Sequence, residues 1–180
     1  MLATYLERGI SEFFNSIAIA IIFMPLLIGF KFILSKKDSI TRLNTIGEFA
    51  WLVAVVTILS ITGIIGGHFG TTSIMAGNPV INFNFLSEGL STATILNIIL
   101  FIPFGFLSTI VFKKIQNKWI YGVLIGLVFT SFIEFLQLFT GRLVQIDDIV
   151  MNTLGTYAGY ILCRYLLKFK LLKKFKIITD

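Results

Sequence analysis

The sequence predicts an all-α membrane protein, a five-helix transmembrane bundle with its N-terminus outside and its C-terminus in the cytoplasm. Three observations lead there. The 180 residues are 56% hydrophobic and 13% charged, with a mean hydropathy of +0.92, and a soluble domain carries about twice that share of charge. Five stretches are long and apolar enough to cross the hydrocarbon layer, which takes about 20 residues of helix. Lys and Arg gather on one side of the resulting alternation. No stretch alternates polar and apolar residues as the strands of a membrane barrel do.

The first span is expected at 13–34. Its flank, Glu7, Arg8 and Glu12, is unlike the basic start of a signal peptide, and no small-residue cleavage site follows. The second, 48–66, is short and is interrupted by Thr57, Ser60, Thr62 and Gly63. An outer loop, 67–92, carries His68 as an ordinary surface residue. The remaining spans are expected at 93–112, 119–139 and 149–167. Gly122 with Gly126, and Gly155 with Gly159, repeat every four residues and suit close helix packing. The organisation is then two helices and a loop (1–92), a three-helix core (93–167) and a basic cytoplasmic tail (168–180).

Thirteen of the 15 basic residues fall after span 1, after span 3 or at the C-terminus; Arg8 and Arg142 alone lie on the other side. The basic tail reads as a topology determinant that meets anionic lipid headgroups, with no nucleic-acid partner. Cys163 is the only cysteine and His68 the only histidine. No internal disulfide, metal site or cofactor is therefore expected.

With this orientation, polar residues from three spans and one loop reach one outer layer. Asn97 lies about one turn into span 3. Glu134 and Gln137 lie near the end of span 4, with Ser131 on the same helical side. Arg142, Asp147 and Asp148 occupy the loop, and Asn152 opens span 5. A charge facing lipid is costly, so Glu134 is expected to face the bundle interior. Asp148, Asn152, Gly155, Thr156 and Gly159 share a helical stripe, and Asp147 points about 100° away from it. Asp147 then suits an N-cap or a solvent-facing role. Arg142 suits an ion pair with Asp148 or Glu134.

These residues form three ordered blocks. "NIILFIPFGF" carries N-x-x-x-F-x-P-x-G from Asn97, "SFIEFLQLF" carries E-x-x-Q from Glu134, and "GRLVQIDDIVMNTLGTYAGY" carries R-x5-D-x3-N-x2-G-x3-G-Y from Arg142. Over about 93–160 the set resembles the VanZ-like family of small bacterial membrane proteins. The resemblance implies a role in the Gram-positive cell envelope and lowered susceptibility to teicoplanin, a lipoglycopeptide. By position it marks Asn97, Glu134, Gln137, Arg142, Asp148 and Asn152 as the site. Gln145 stands where many members carry an acid, which removes one ligand from any acidic metal site.

Two functions fit. In the first, an outward-facing polar site binds or shields a peptidoglycan precursor or other envelope lipid, with Arg142 as a fork for carboxylate or phosphate. In the alternative, a membrane enzyme acts on a lipid-linked substrate, with Glu134 as acid or base and Asp148 as its partner. No serine or cysteine nucleophile motif and no phosphate loop accompany the acids. Transport or pure scaffolding ranks third, because five spans show no internal repeat.

Overall fold

The computed structural model describes residues 2–34, 42–67, 70, 81–86, 89–140 and 142–168. His68 and most of the expected basic tail lie outside them. Five α-helices follow one another: α1 (Leu2–Leu34), α2 (Arg42–Ile61), α3 (Thr92–Val111), α4 (Trp119–Gln137) and α5 (Ile146–Lys168). A 3-10 turn at Lys113–Gln116 joins α3 to α4. Two short strands, β1 (Ile81–Asn82) and β2 (Val144–Gln145), pair in parallel across the loops that precede α3 and α5. Three helical stretches, Ala3–Gly29, Thr92–Val111 and Trp119–Gln137, are long and apolar enough to cross a membrane. The apolar part of α2, Thr45–Ile61, is shorter, and α5 carries two acids in its first turn.

Two boundaries differ from the sequence expectation. α1 begins at Leu2, eleven residues earlier than span 1, because residues 2–12 hold no Pro and Leu2, Ala3, Leu6, Glu7, Arg8 and Glu12 are good helix formers that outweigh Gly9. α2 ends at Ile61 rather than 66, because Gly63 and Gly66 take positive φ, +75° and +78°, which a helix cannot continue.

α5 is the helix the others build on. Its Gly155 and Gly159 lie directly on the backbone of α3, where an added Cβ would strike the carbonyls of Ile98 and Ile102. Gly105 of α3 returns the contact onto the Thr156 backbone. On its other side Gly122 of α4 lies against the Tyr160 ring, and Gly126 against Thr153 and Thr156. Lipid supplies no hydrophobic drive between helices, so such small-residue contacts carry the packing. The ring of Tyr160 is fixed by its hydroxyl, which donates to the Lys118 carbonyl at 2.9 Å just ahead of α4. α2 closes the bundle over an apolar core of Ile58, Phe101, Phe104 and Ile133. Phe104 stacks on Phe129 at 4.4 Å, and Trp51 donates to the Ser108 hydroxyl at 2.9 Å. Cys163 is buried with Ile110 and Leu167.

α1 joins through α2. Among its described side chains, the buried ones are Ser16, Ala20 and Met24, a stripe of every fourth position. No residue between Ala3 and Asn15 is buried, so the N-terminal half of α1 stands off from the bundle.

Gly155→Leu should destabilise the protein by about 3 kcal/mol, the upper end of overpacking, because backbone opposes the new side chain. Gly9→Ala, where nothing lies within 4 Å, should leave stability unchanged or slightly raised. Melting temperatures of the two variants in detergent check both.

Candidate functional site

The site begins at the end of α2. The Ile64 N–H donates to the Leu59 carbonyl at 2.8 Å, and the Gly63 N–H to that of Ser60 at 3.0 Å. This is the glycine-terminated helix end, with its 6→1 and 5→2 bonds. It satisfies residues 59 and 60 and leaves the Thr62 carbonyl free to accept from elsewhere. Two donors use it: Gln137 Nε2 of α4 at 3.1 Å and Arg142 Nη1. The guanidinium thus lies at the negative end of the α2 dipole. It also covers Gly63, where a Cβ would sit 3.0 Å from Nη1. Gly63 is therefore required both for its positive φ and for the room it leaves Arg142.

The α4 side of the site is a stripe of Thr130, Glu134 and Gln137, all buried. Glu134 is 3% exposed. Its Oε2 accepts the Gln145 N–H at 3.2 Å and so holds β2 against the helix end. β2 in turn pairs with β1, Ile81 opposite Val144 and Asn82 opposite Gln145. Asp147, in the first turn of α5, accepts the Leu86 N–H at 2.8 Å. Leu86 has φ +52°, a strained value for a leucine, and this bond helps to hold it.

Besides Trp51 and Ser108, two side-chain pairs cross between helices. Asn97 Nδ2 of α3 donates to Asp148 Oδ1 of α5 at 2.6 Å. Asn152 Nδ2 of α5 donates to Thr130 Oγ1 of α4 at 2.9 Å, fully inside the bundle.

Three sequence expectations change. Arg142 forms no ion pair with Glu134 or Asp148 among the described residues; it caps a carbonyl instead. Asp147 lies in the first turn of α5, where an acid suits the helix dipole as expected, and it ties down a loop rather than capping the N-terminus. Ser131 is exposed, and Thr130 takes its place on the interior side. The every-fourth-residue series Gly122, Gly126, Thr130, Glu134 was the signal for Thr130.

Beside this framework lies a cavity of about 700 Å³. Asn97, Gln137, Arg142, Gln145 and Asp148 line its polar end. α3 supplies one apolar wall, with Leu96, Ile99 and Leu100; the N-terminal half of α1 supplies the other, with Leu6, Ile10, Phe13 and Phe14. Four of the six expected site residues therefore share the cavity. Glu134 and Asn152 stand behind it. Arg8 also lines it, and sequence reasoning had used that residue only to orient the chain.

One cavity group is incomplete. Gln137 is 6% exposed, and its Oε1 has no partner. Its orientation is fixed, because Nε2 faces a carbonyl that can only accept. Asn152 Oδ1 also lacks a partner, and it lies outside the cavity lining. Gln137 Oε1 is thus a buried acceptor left without a donor inside the bundle.

The model of the VanZ/LLP1 family matches residues 67–169, more than half of the chain. The chain belongs to the VanZ/LLP1 family. No curated protein and no solved structure matches it. The family match takes in the loop with β1, α3, α4, β2 and α5, and with them every residue of the three sequence blocks. The Thr62 carbonyl and the α1 wall lie before it, so in this VanZ/LLP1 chain the cavity is completed by helices outside the matched region.

Asp147→Ala should release the 81–86 loop without unfolding the bundle. Hydrogen exchange at the Leu86 amide should rise at least about tenfold, the loss of one hydrogen bond to a charged group, while exchange in α3 and α5 stays as in the parent.

Proposed function

We propose that this chain is a multi-pass protein of the bacterial cell membrane, with all five helices crossing, the N-terminus outside and the C-terminal tail in the cytoplasm. Its cavity then opens at the outer leaflet, where it binds the head of an envelope lipid or peptidoglycan precursor. By covering that head it lowers the access of teicoplanin-type lipoglycopeptides. The orientation rests on the 13 basic residues gathered on the opposite side. In this reading residues 93–167 carry the site, 1–92 close it, and 168–180 anchor the cytoplasmic face.

The carrying observation is the convergence of Asn97, Gln137, Arg142 and Asp148 at one end of a cavity with apolar walls. A polar head with an apolar tail fits that division, and the volume lies within the range of small-molecule sites. The enzyme alternative asks Glu134 to move protons. Its bond to the Gln145 backbone and its absence from the cavity lining favour a supporting role.

The test is made in a susceptible Gram-positive host, with membrane abundance, teicoplanin susceptibility and surface-bound labelled drug measured together. Glu134→Gln keeps an acceptor for Gln145 and should keep protection within about twofold. The double variant Asn97→Leu, Asp148→Leu replaces both partners of one bond, a change that costs little stability, and should accumulate normally but lose protection. Full abundance of Glu134→Gln with protection lost would instead support acid–base chemistry. No protection by the parent protein would overturn the antibiotic role.

A further inference from the structure

We infer that the cavity takes a single-chain or splayed phospholipid-type amphiphile from the membrane, with its phosphate held between Arg8 of α1 and Arg142 and its acyl chain lying between α1 and α3. The inference rests on the binding role proposed above and gives its ligand a chemical class. Four observations lead to it.

Arg8 lines the cavity, is exposed, and has no hydrogen bond or ion pair among the described residues. Arg142 gives its Nη1 to Thr62 and keeps its other N–H groups available for a second acceptor. Glu7 and Glu12, the acids beside Arg8 on α1, do not line the cavity; the one carboxylate that does, Asp148, already accepts from Asn97. Two guanidinium groups lining one cavity suit a phosphate, which offers several oxygens at once.

The apolar part has an equally direct reading. Leu6, Ile10 and Phe13 on one wall and Ile99 on the other are all more than half or nearly half exposed, from 46% to 59%, and they face a shared cavity. α1 is anchored to α2 only from Ser16 onward, so the gap between its N-terminal half and α3 is open along the side. Hydrocarbon fills such a gap more favourably than water.

The full-length protein, purified in detergent, would be titrated with lysophosphatidic acid, lysophosphatidylcholine and inorganic phosphate, and adducts counted by native mass spectrometry. Lysophosphatidic acid should bind most tightly, and inorganic phosphate alone should give no adduct at the same concentrations. Arg8→Gln and Arg142→Gln should each weaken lysophosphatidic acid binding about tenfold, the loss of one charge-assisted contact. Gly9→Phe should do the same by filling the cavity, because Gly9 lines it and has open space around it. Arg8 braces nothing in the fold, so its variant reads the ligand and not folding. Parent-like binding by Arg8→Gln, with loss in Gly9→Phe, would overturn the two-arginine grip and leave the cavity reading standing. Parent-like binding by all three variants would overturn both. Equal binding of the two lysolipids by the parent would overturn recognition of the phosphate charge.

Discussion

The carbonyl of Thr62 is the constraint on which the site depends. A helix end leaves backbone oxygens that must find donors, and one that is buried without a donor costs free energy. Gly63 turns the chain in a way that satisfies two of them and presents a third. Gln137 and Arg142 answer it. That one oxygen therefore fixes the end of α2 against the end of α4 and sets where the 142–145 segment begins. The rest follows in sequence. β2 reaches Glu134, pairs with β1, and delivers Asp147 and Asp148 to the first turn of α5.

The polar residues divide into two kinds by what they touch. Glu134, Asp147, Asn152 and Thr130 are directed at the protein itself, at a strand amide, a loop amide and each other. Asn97, Gln137, Arg142 and Asp148 also hold protein partners but border the cavity. The first group makes the second rigid. Polar groups in an apolar bundle are costly unless paired, and here the pairing leaves a preformed cavity edge.

Much of this was legible in the sequence. Apolar length gave the five helices, and the every-fourth glycines gave the α3–α5 and α4–α5 contacts, because a missing side chain is itself a visible signal. The gathering of Asn97, Gln137, Arg142 and Asp148 on one cavity matches the common layer expected from the alternation of the spans. What escaped was whatever depended on backbone. Arg142 looked like a partner for an acid because acids carry letters and a helix-end carbonyl does not. Asp147 looked like a cap because the loop that it holds comes from 61 residues earlier in the chain. Ser131 and Thr130 differ by 100° of helix, and only the glycine register of α4 separates them. Arg8 was counted as a topology charge, since span 1 was expected to start after it; a helix running from Leu2 brings it to the cavity instead.

The account stands on the cavity's polar end facing the cell exterior, and cysteine labelling in intact cells tests that most directly. Cys163 is buried and gives no background. Single cysteines at Leu143, beside the cavity, and at Asn117, in the turn between α3 and α4, are both exposed. A membrane-impermeant maleimide should label Leu143→Cys from outside and label Asn117→Cys only after the cells are opened. Labelling of Asn117→Cys in intact cells, with Leu143→Cys protected until lysis, would contradict the account and turn the cavity toward the cytoplasm.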